Sequence, residues 1–323
     1  MKKLLLGSAL AASVLLAGSS FAETKVNGYL ETTLNTKSTT TTSTEDNSGA
    51  STIGHETSIG LTNTKELDNG ISVLANIRFQ DGVTEDQKLM FSMGNTTLAI
   101  GNDVTGVADN VSQEDFTPHA SQDFHSVNTG GDITGVKTTH GENGIYLIQK
   151  SDLLTLEANY SPSANTASTG ASKNDAASGS GSDIAVHGSL GVEGLKVGYG
   201  TSKRESDSTT AGEVKGTAYG IKYAMAGFTV GYGAVENETA AKVVSDITTY
   251  GISYQVNDQI TLSIAEGTVD KSGQAVDEEY QTIQVGYDFG GLGVTAGYYT
   301  IENDGYTNGT DNSVFEIRTV TKF

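Results

Sequence analysis

The sequence predicts an all-β chain whose antiparallel sheet closes into a transmembrane barrel of sixteen strands. Three observations predict it. Apolar and polar residues alternate with period two in segment after segment. The connections alternate between tight turns and long polar stretches. An export leader at the amino terminus is followed by no apolar run approaching the roughly 20 residues that a spanning helix needs. Composition removes competing classes. The 323 residues include 40 glycines, 2 prolines and neither cysteine nor tryptophan, with 19 basic against 39 acidic side chains. A net charge of -20 gives no basic face for a nucleic-acid backbone. The lack of cysteine removes disulfides, thiolate zinc sites, iron–sulfur clusters and thiol nucleophiles.

Met1-Lys2-Lys3 is a short cationic start, Leu4 to Ala17 is apolar apart from small residues, and Ser20-Phe21-Ala22 fits the small-x-small pattern cut by signal peptidase. Residues 1–22 are therefore expected to be a cleaved leader, and 23–323 the barrel. Strands are expected at 25–34, 52–61, 70–80, 88–94 and 95–101, with loops at 35–51 and 81–87. The third strand shows the pattern plainly: Ile71, Val73, Ala75, Ile77 and Phe79 share one face, and Ser72, Asn76, Arg78 and Gln80 the other. An insertion at 102–143 separates this group from strands at 144–150 and 153–160. The rest follow at 183–191, 194–202, 214–224, 226–235, 246–255, 259–267, 278–289, 291–300 and 312–323. In the last, Phe315, Ile317, Thr319, Thr321 and Phe323 oppose Glu316, Arg318 and Lys322. Counting Ile133 to His140 and one missed partner as strands raises the total to eighteen.

Gly290-Gly291, Val256-Asn257-Asp258, Met225-Ala226 and Val192-Glu193 are tight turns, whereas 301–311, 268–277, 236–245, 203–213 and 161–182 are long and polar. Short turns on one rim and long loops on the other belong to a barrel in an outer membrane. A water-soluble sandwich has no reason to keep that rhythm. Glycine recurs opposite large outward residues, in Val197-Gly198-Tyr199-Gly200, Val230-Gly231-Tyr232-Gly233, Val285-Gly286-Tyr287 and Ala296-Gly297-Tyr298. Barrel curvature and close interior packing tolerate that arrangement. No helix follows these phrases, so they are not dinucleotide-binding loops.

The leader, the opening Val26-Asn27-Gly28-Tyr29-Leu30, the glycine–tyrosine strands, the hairpin Leu89 to Gly101 running into the longest mid-chain insertion and the closing phenylalanine together resemble the trimeric general-diffusion porins of Gram-negative bacteria. The resemblance covers the mature chain through patterns more than fixed residues. The Pro-Glu-Phe-Gly phrase and dense arginine ladder of enterobacterial porins are absent, which points to a divergent lineage. The resemblance implies an outer-membrane homotrimer in contact with lipopolysaccharide, passing small hydrophilic solutes by passive diffusion. It implies that Phe323 is the address read by the barrel-assembly machinery, and that the third long loop folds inward to constrict the lumen.

If that loop folds in, it carries an acidic face, since Asp103, Asp109, Glu114, Asp115, Asp123 and Asp132 occur without a lysine or arginine between Asn102 and Val136. Lumen-facing parity puts Arg78, Lys88 and Arg318 on the wall, and opposed charges across a gap would favour polar solutes able to orient their dipoles. The alternative is that these bases only neutralise lumen acids such as Glu31, Glu56, Glu157 and Glu316, and that the loop carboxylates are solvated or bonded to backbone in turns. The excess of acids predicts a modest cation preference. No cofactor is implied. His55, His119, His125, His140 and His187 lack metal-ligand spacing. Asn303 to Asp311 is rich in oxygen, with Asp304 and Asp311 as candidate calcium contacts, but lacks the full twelve-residue pattern ending in glutamate. A substrate-specific channel, a secreted adhesin and an outer-membrane hydrolase are the rival readings. The adhesin would not need the alternating connections or the aromatic terminal strand, and the hydrolase would normally use fewer strands. Intact-mass measurement of the mature protein is expected to give an amino terminus at Glu23; a mass retaining residues 1–22 would reject the leader.

Overall fold

The computed structural model describes residues 23–41, 44–46, 51–102, 104, 106–120, 136, 143–162, 180–204 and 213–323. The predicted leader, residues 1–22, lies outside them. Sixteen long strands form one closed antiparallel ring in chain order. They are β1 (Glu23–Thr41), β2 (Ser51–Glu66), β3 (Ser72–Gln80), β4 (Val83–Met93), β5 (Thr96–Gly101), β6 (Gly144–Lys150), β7 (Leu154–Ser161) and β8 (Gly181–Gly188). After them come β9 (Leu195–Arg204), β10 (Val214–Met225), β11 (Phe228–Glu238), β12 (Val244–Gln255), β13 (Ile260–Lys271), β14 (Glu278–Asp288), β15 (Leu292–Glu302) and β16 (Thr310–Lys322). A short segment, Thr44–Asp46, lengthens the first hairpin by pairing with the end of β1. The ring closes where β1 meets β16, from Tyr29 opposite Lys322 to Thr41 opposite Thr310. Gly28 and Phe323 finish the seam by exchanging N–H to O bonds of 2.9 and 3.0 Å. Closure leaves no sheet edge, the condition for a β-protein to sit in hydrocarbon without orphaned backbone groups.

The side chains are sorted inside out relative to a water-soluble protein. On the outer surface Ile252, Ile264 and Ile283 stand in register across β12, β13 and β14, and are 39%, 40% and 51% exposed. Their inward neighbours Thr249, Ser263, Thr282 and Gln284 are buried. Tyr199 faces Tyr219, and Tyr232 faces Tyr250, on the same outer surface. An exposed apolar belt carried by a polar interior is the arrangement that acyl chains stabilise and water does not.

Termini and tight turns share one rim. Ala226 and Gly227 turn the chain between β10 and β11 with φ of 51° and 81°, as a two-residue hairpin turn requires. On the other rim the strands run further than the sequence suggested. The connections after β11, β13 and β15 shrink to 239–243, 272–277 and 303–309, because residues that are polar on the outward face, Glu236, Asp270 and Glu302, continue the ladder above the apolar belt. The expected loop at 81–87 is a correction of the same kind. Asp81 and Gly82 make the whole turn, with φ of 48° and 81°, and β4 starts at Val83. A register shift between Arg78 and Phe79 interrupts the period-two pattern there, so a strand looked like a loop. Of Ile133 to His140, the segment behind the eighteen-strand alternative, only Val136 is among the described residues, and it is buried.

The insertion after β5 turns inward. A 3₁₀ turn, Val107–Val111, and a single α-turn, Gln113–Phe116, lie against the inner faces of β7 to β12. Val107, Ala108, Val111 and Phe116 join Ala185 and Ala218 of the wall in a buried apolar cluster. Phe116 is fully buried, which contributes about 1.5–3 kcal/mol to holding the insertion there. Outward and inward faces should therefore respond differently to the same substitution. Ile264→Lys is expected to cost about 2–4 kcal/mol in lipid-vesicle unfolding titrations, whereas lumen-facing Thr295→Lys should change stability by about 0.5 kcal/mol or less.

Candidate functional site

Two opposed walls define the lumen. In a ring of sixteen strands β3 and β11 are eight apart, so the insertion seated on β7 to β12 faces β16, β1, β2, β3 and β4 across the interior. Strand parity decides what that far wall presents. Arg78, Lys88 and Arg318 sit on the faces opposite the exposed Phe79, Leu89 and Phe315. Arg78 reaches Asp86 through Nε at 2.9 Å and Nη2 at 3.1 Å, and Lys88 Nζ lies 3.9 Å from the same carboxylate. Arg318 Nε lies 3.2 Å from Glu31 and 3.5 Å from Glu316 and is only 6% exposed. The Tyr29 hydroxyl donates to Glu56. Each of the three bases thus has a carboxylate within ion-pair distance, and both signs are interspersed along the wall. Asp86, buried on β4, is the residue that sequence reasoning missed, because it fell in the stretch read as a loop.

Polar groups of the wall hold the insertion. Asp183 Oδ2 accepts the Gly106 N–H at 2.9 Å, Asn159 Oδ1 accepts that of Val107 at 3.3 Å, and Glu157 accepts from Asn110 Nδ2 at 2.6 Å. His187 Nε2 stands 3.6 Å from the other Glu157 oxygen. Further along, the Thr117 and Thr249 hydroxyls are 2.5 Å apart, and the Ala120 N–H is shared by Ser263 Oγ and Gln284 Oε1, each at 2.9 Å. Two lysines placed directly opposite one another, Lys196 and Lys222, would repel if nothing lay between them. Lys222 donates to the Asp115 carbonyl at 2.6 Å, while Lys196 lies 3.7 Å from the Asp115 carboxylate and 5.0 Å over the Phe116 ring. The insertion thereby supplies the negative groups that this pair needs.

The acidic candidates separate. Asp115 is engaged by Lys196, and Asp109 accepts the Val136 N–H at 3.1 Å, tying the two halves of the insertion together. Asp103 and Asp123 lie outside the described residues, as does the side chain of Glu114, whose backbone is in the α-turn. At the outer rim Asp304 accepts from the Asn312 amide, and Asp311 from the Asn303 N–H at 3.1 Å. Among the described residues no group of three or more His, Asp or Glu is gathered closely enough to hold a metal ion. Phe323 ends the seam with its ring over Gly28 and is 64% exposed.

Glycine makes the close approach of insertion and wall geometrically possible. A Cβ on Gly198 would lie 2.6 Å from the Phe116 ring and 2.7 Å from Val111, inside van der Waals contact. Gly220 and Gly231 lie closer still to Phe116, the first to its side chain and the second to its carbonyl oxygen. Removing an anchor should loosen the seat locally. In Asp183→Ala the Gly106 amide loses its acceptor, and its hydrogen-exchange protection is expected to fall about tenfold, the equivalent of one ordinary hydrogen bond; unchanged protection would show that the anchor is dispensable.

Comparison with known proteins agrees with this architecture. No curated protein sequence matches the chain significantly. A solved porin structure superposes with a TM-score of 0.66 at 14% identity, covering 93% of this chain and 100% of that one. OmpT of Vibrio cholerae, expressed in the outer membrane, gives 0.64 at 14% identity over 95% and 99% of the two chains. A variant of the Rh. blastica porin gives 0.63 at 16% identity over 93% and 100%. At such identities these likenesses establish the fold. A family model described as Gram-negative porin matches residues 9–306, and the chain therefore belongs to the Gram-negative porins, channel-forming barrels of the outer membrane.

Proposed function

We propose that the barrel passes small hydrophilic solutes and ions by passive diffusion, with residues 104–120 narrowing its lumen. The observation that carries this reading is the seating of the insertion on one inner wall of a sixteen-strand ring, facing a charged wall across the interior. A barrel of that strand number is wide enough for an aqueous channel, so whatever narrows it sets the size limit. Arg78, Lys88 and Arg318 with their carboxylate partners form one side of the proposed passage; Asp109 and Asp115, together with Asp103, Glu114 and Asp123, belong to the other. Four wall carboxylates, Glu31, Glu56, Asp86 and Glu316, accompany the three bases. With a chain charge of -20, the balance favours cations. The preference is modest because physiological salt screens exposed charges over about 8 Å. Diffusion needs neither a cofactor nor a catalytic group, and we read the protein as a channel without enzymatic activity.

The assembly follows from the same reading. Val26, Leu30, Leu34, Ile53 and Ile59 give β1 and β2 an exposed apolar surface suited to a homotrimer contact. Phe323 would be the residue by which the assembly machinery recognises the last strand, and lipopolysaccharide would surround the outer rim. Reconstitution in planar bilayers should give stepwise conductance, and reversal potentials under a salt gradient should show cations favoured over anions. Anion preference would reject the proposed charge balance, and absence of conductance would reject the channel.

A further inference from the structure

We infer that the aperture of the channel is set by the depth of a glycine groove in the inner wall, with Gly198, Gly200, Gly220 and Gly231 acting as positioning residues for the constricting insertion. The inference rests on the reading of residues 104–120 as the constriction and adds what determines how far they protrude. The groove runs across three consecutive strands. Gly198 and Gly200 lie on β9, Gly220 on β10 and Gly231 on β11. Each lies on the inward face, since the intervening Tyr199, Tyr219, Val230 and Tyr232 are exposed on the outer one.

The groove is filled by apolar and backbone atoms of the insertion. Val111 lies over Gly198 and Gly200, the Phe116 ring over Gly198 and Gly220, and the Phe116 carbonyl over Gly231. With the polar anchors on either side, the insertion is held laterally by hydrogen bonds and in depth by the floor on which it rests. A methyl group on that floor has no free volume to enter, because protein interiors are packed to near-crystalline density. The wall is a continuous ladder, from Leu195 opposite Tyr223 to Met225 opposite Phe228, and retreats less readily than an insertion held by separate side-chain and backbone contacts. The insertion is therefore the part that moves. Its direction is inward, toward Arg78 and Arg318, and the passage narrows.

The two central glycines give distinguishable tests. The atoms nearest a Cβ on Gly220 belong to the Phe116 side chain, whereas the atom nearest one on Gly231 is the Phe116 carbonyl oxygen. Single-channel conductance in planar bilayers is expected to fall about 1.5-fold in Gly220→Ala and in Gly231→Ala, as for a modest loss of pore cross-section. Adding Phe116→Ala, which removes the two ring atoms nearest a Cβ on Gly220 and leaves only the Phe116 Cβ at 2.8 Å, should raise conductance toward wild type in the Gly220 variant and leave the Gly231 variant low. Gly54→Ala, at a position with open space around its Cβ, serves as control. Heat-modifiable mobility on gels establishes that each barrel has folded, and should Gly231→Ala fail to fold, the Gly220 pair carries the test. Wild-type or higher conductance in folded Gly220→Ala, or an equal response of both variants to Phe116→Ala, would overturn the groove as the determinant of aperture. A wild-type protein that fails to conduct would instead overturn the channel reading on which it rests.

Discussion

Hydrocarbon offers no hydrogen-bond partner to a peptide group, and everything else in this molecule depends on meeting that constraint. A sheet satisfies its own backbone except at its edges, so the edges must be removed. Here that is done by β1 and β16, whose ladder extends to the last residue through the paired amides of Gly28 and Phe323. Once the ring is closed, the two faces of each strand have different solvents. The apolar face is stabilised by acyl chains and the polar face by the interior, which is why isoleucines in register stand exposed while threonine, serine and glutamine are buried.

A closed ring of this size lacks the central core of a water-soluble domain. Its side-chain packing concentrates where the insertion meets the wall and around the outer rim. The insertion is consequently an energetic element as well as a geometric one. Phe116 and Val111 supply apolar burial, Asp115 compensates two opposed lysines, and the wall's Asp183, Asn159 and Glu157 accept donors that burial would otherwise leave unmet. Removing the insertion would leave Lys196 and Lys222 facing each other without the groups between them, so its two roles are not separable by simple deletion.

Much of the fold was legible in the sequence, because period two is a direct consequence of strand geometry and a lipid-facing surface makes it unusually clear. The order of the strands and the parity that turns Arg78, Lys88 and Arg318 away from the apolar face required nothing more. The ends of strands were less legible. Above the belt the outward face turns polar and apolar residues appear on the inward one instead, as with the buried Val269 of β13, so the alternation changes phase before that strand ends at Lys271. Asp86 was hidden for a related reason, since the irregularity at Arg78 and Phe79 displaced the phase of the pattern. The wall that receives the insertion was present in the sequence as glycines opposite tyrosines, read there as a concession to curvature. Their closeness to Phe116 is a contact across more than 80 residues of chain, which local periodicity does not encode.

That separation also orders events during biogenesis. Gly106 binds a residue 77 positions later, and Ala120 one 164 positions later. When residues 104–120 emerge from the export pathway, the strands that will hold them have not yet arrived, and closing such large chain loops is entropically costly until the receiving strands are in place. Phe116 and its neighbours must stay hydrated or chaperoned through that interval, so docking belongs among the last steps of maturation.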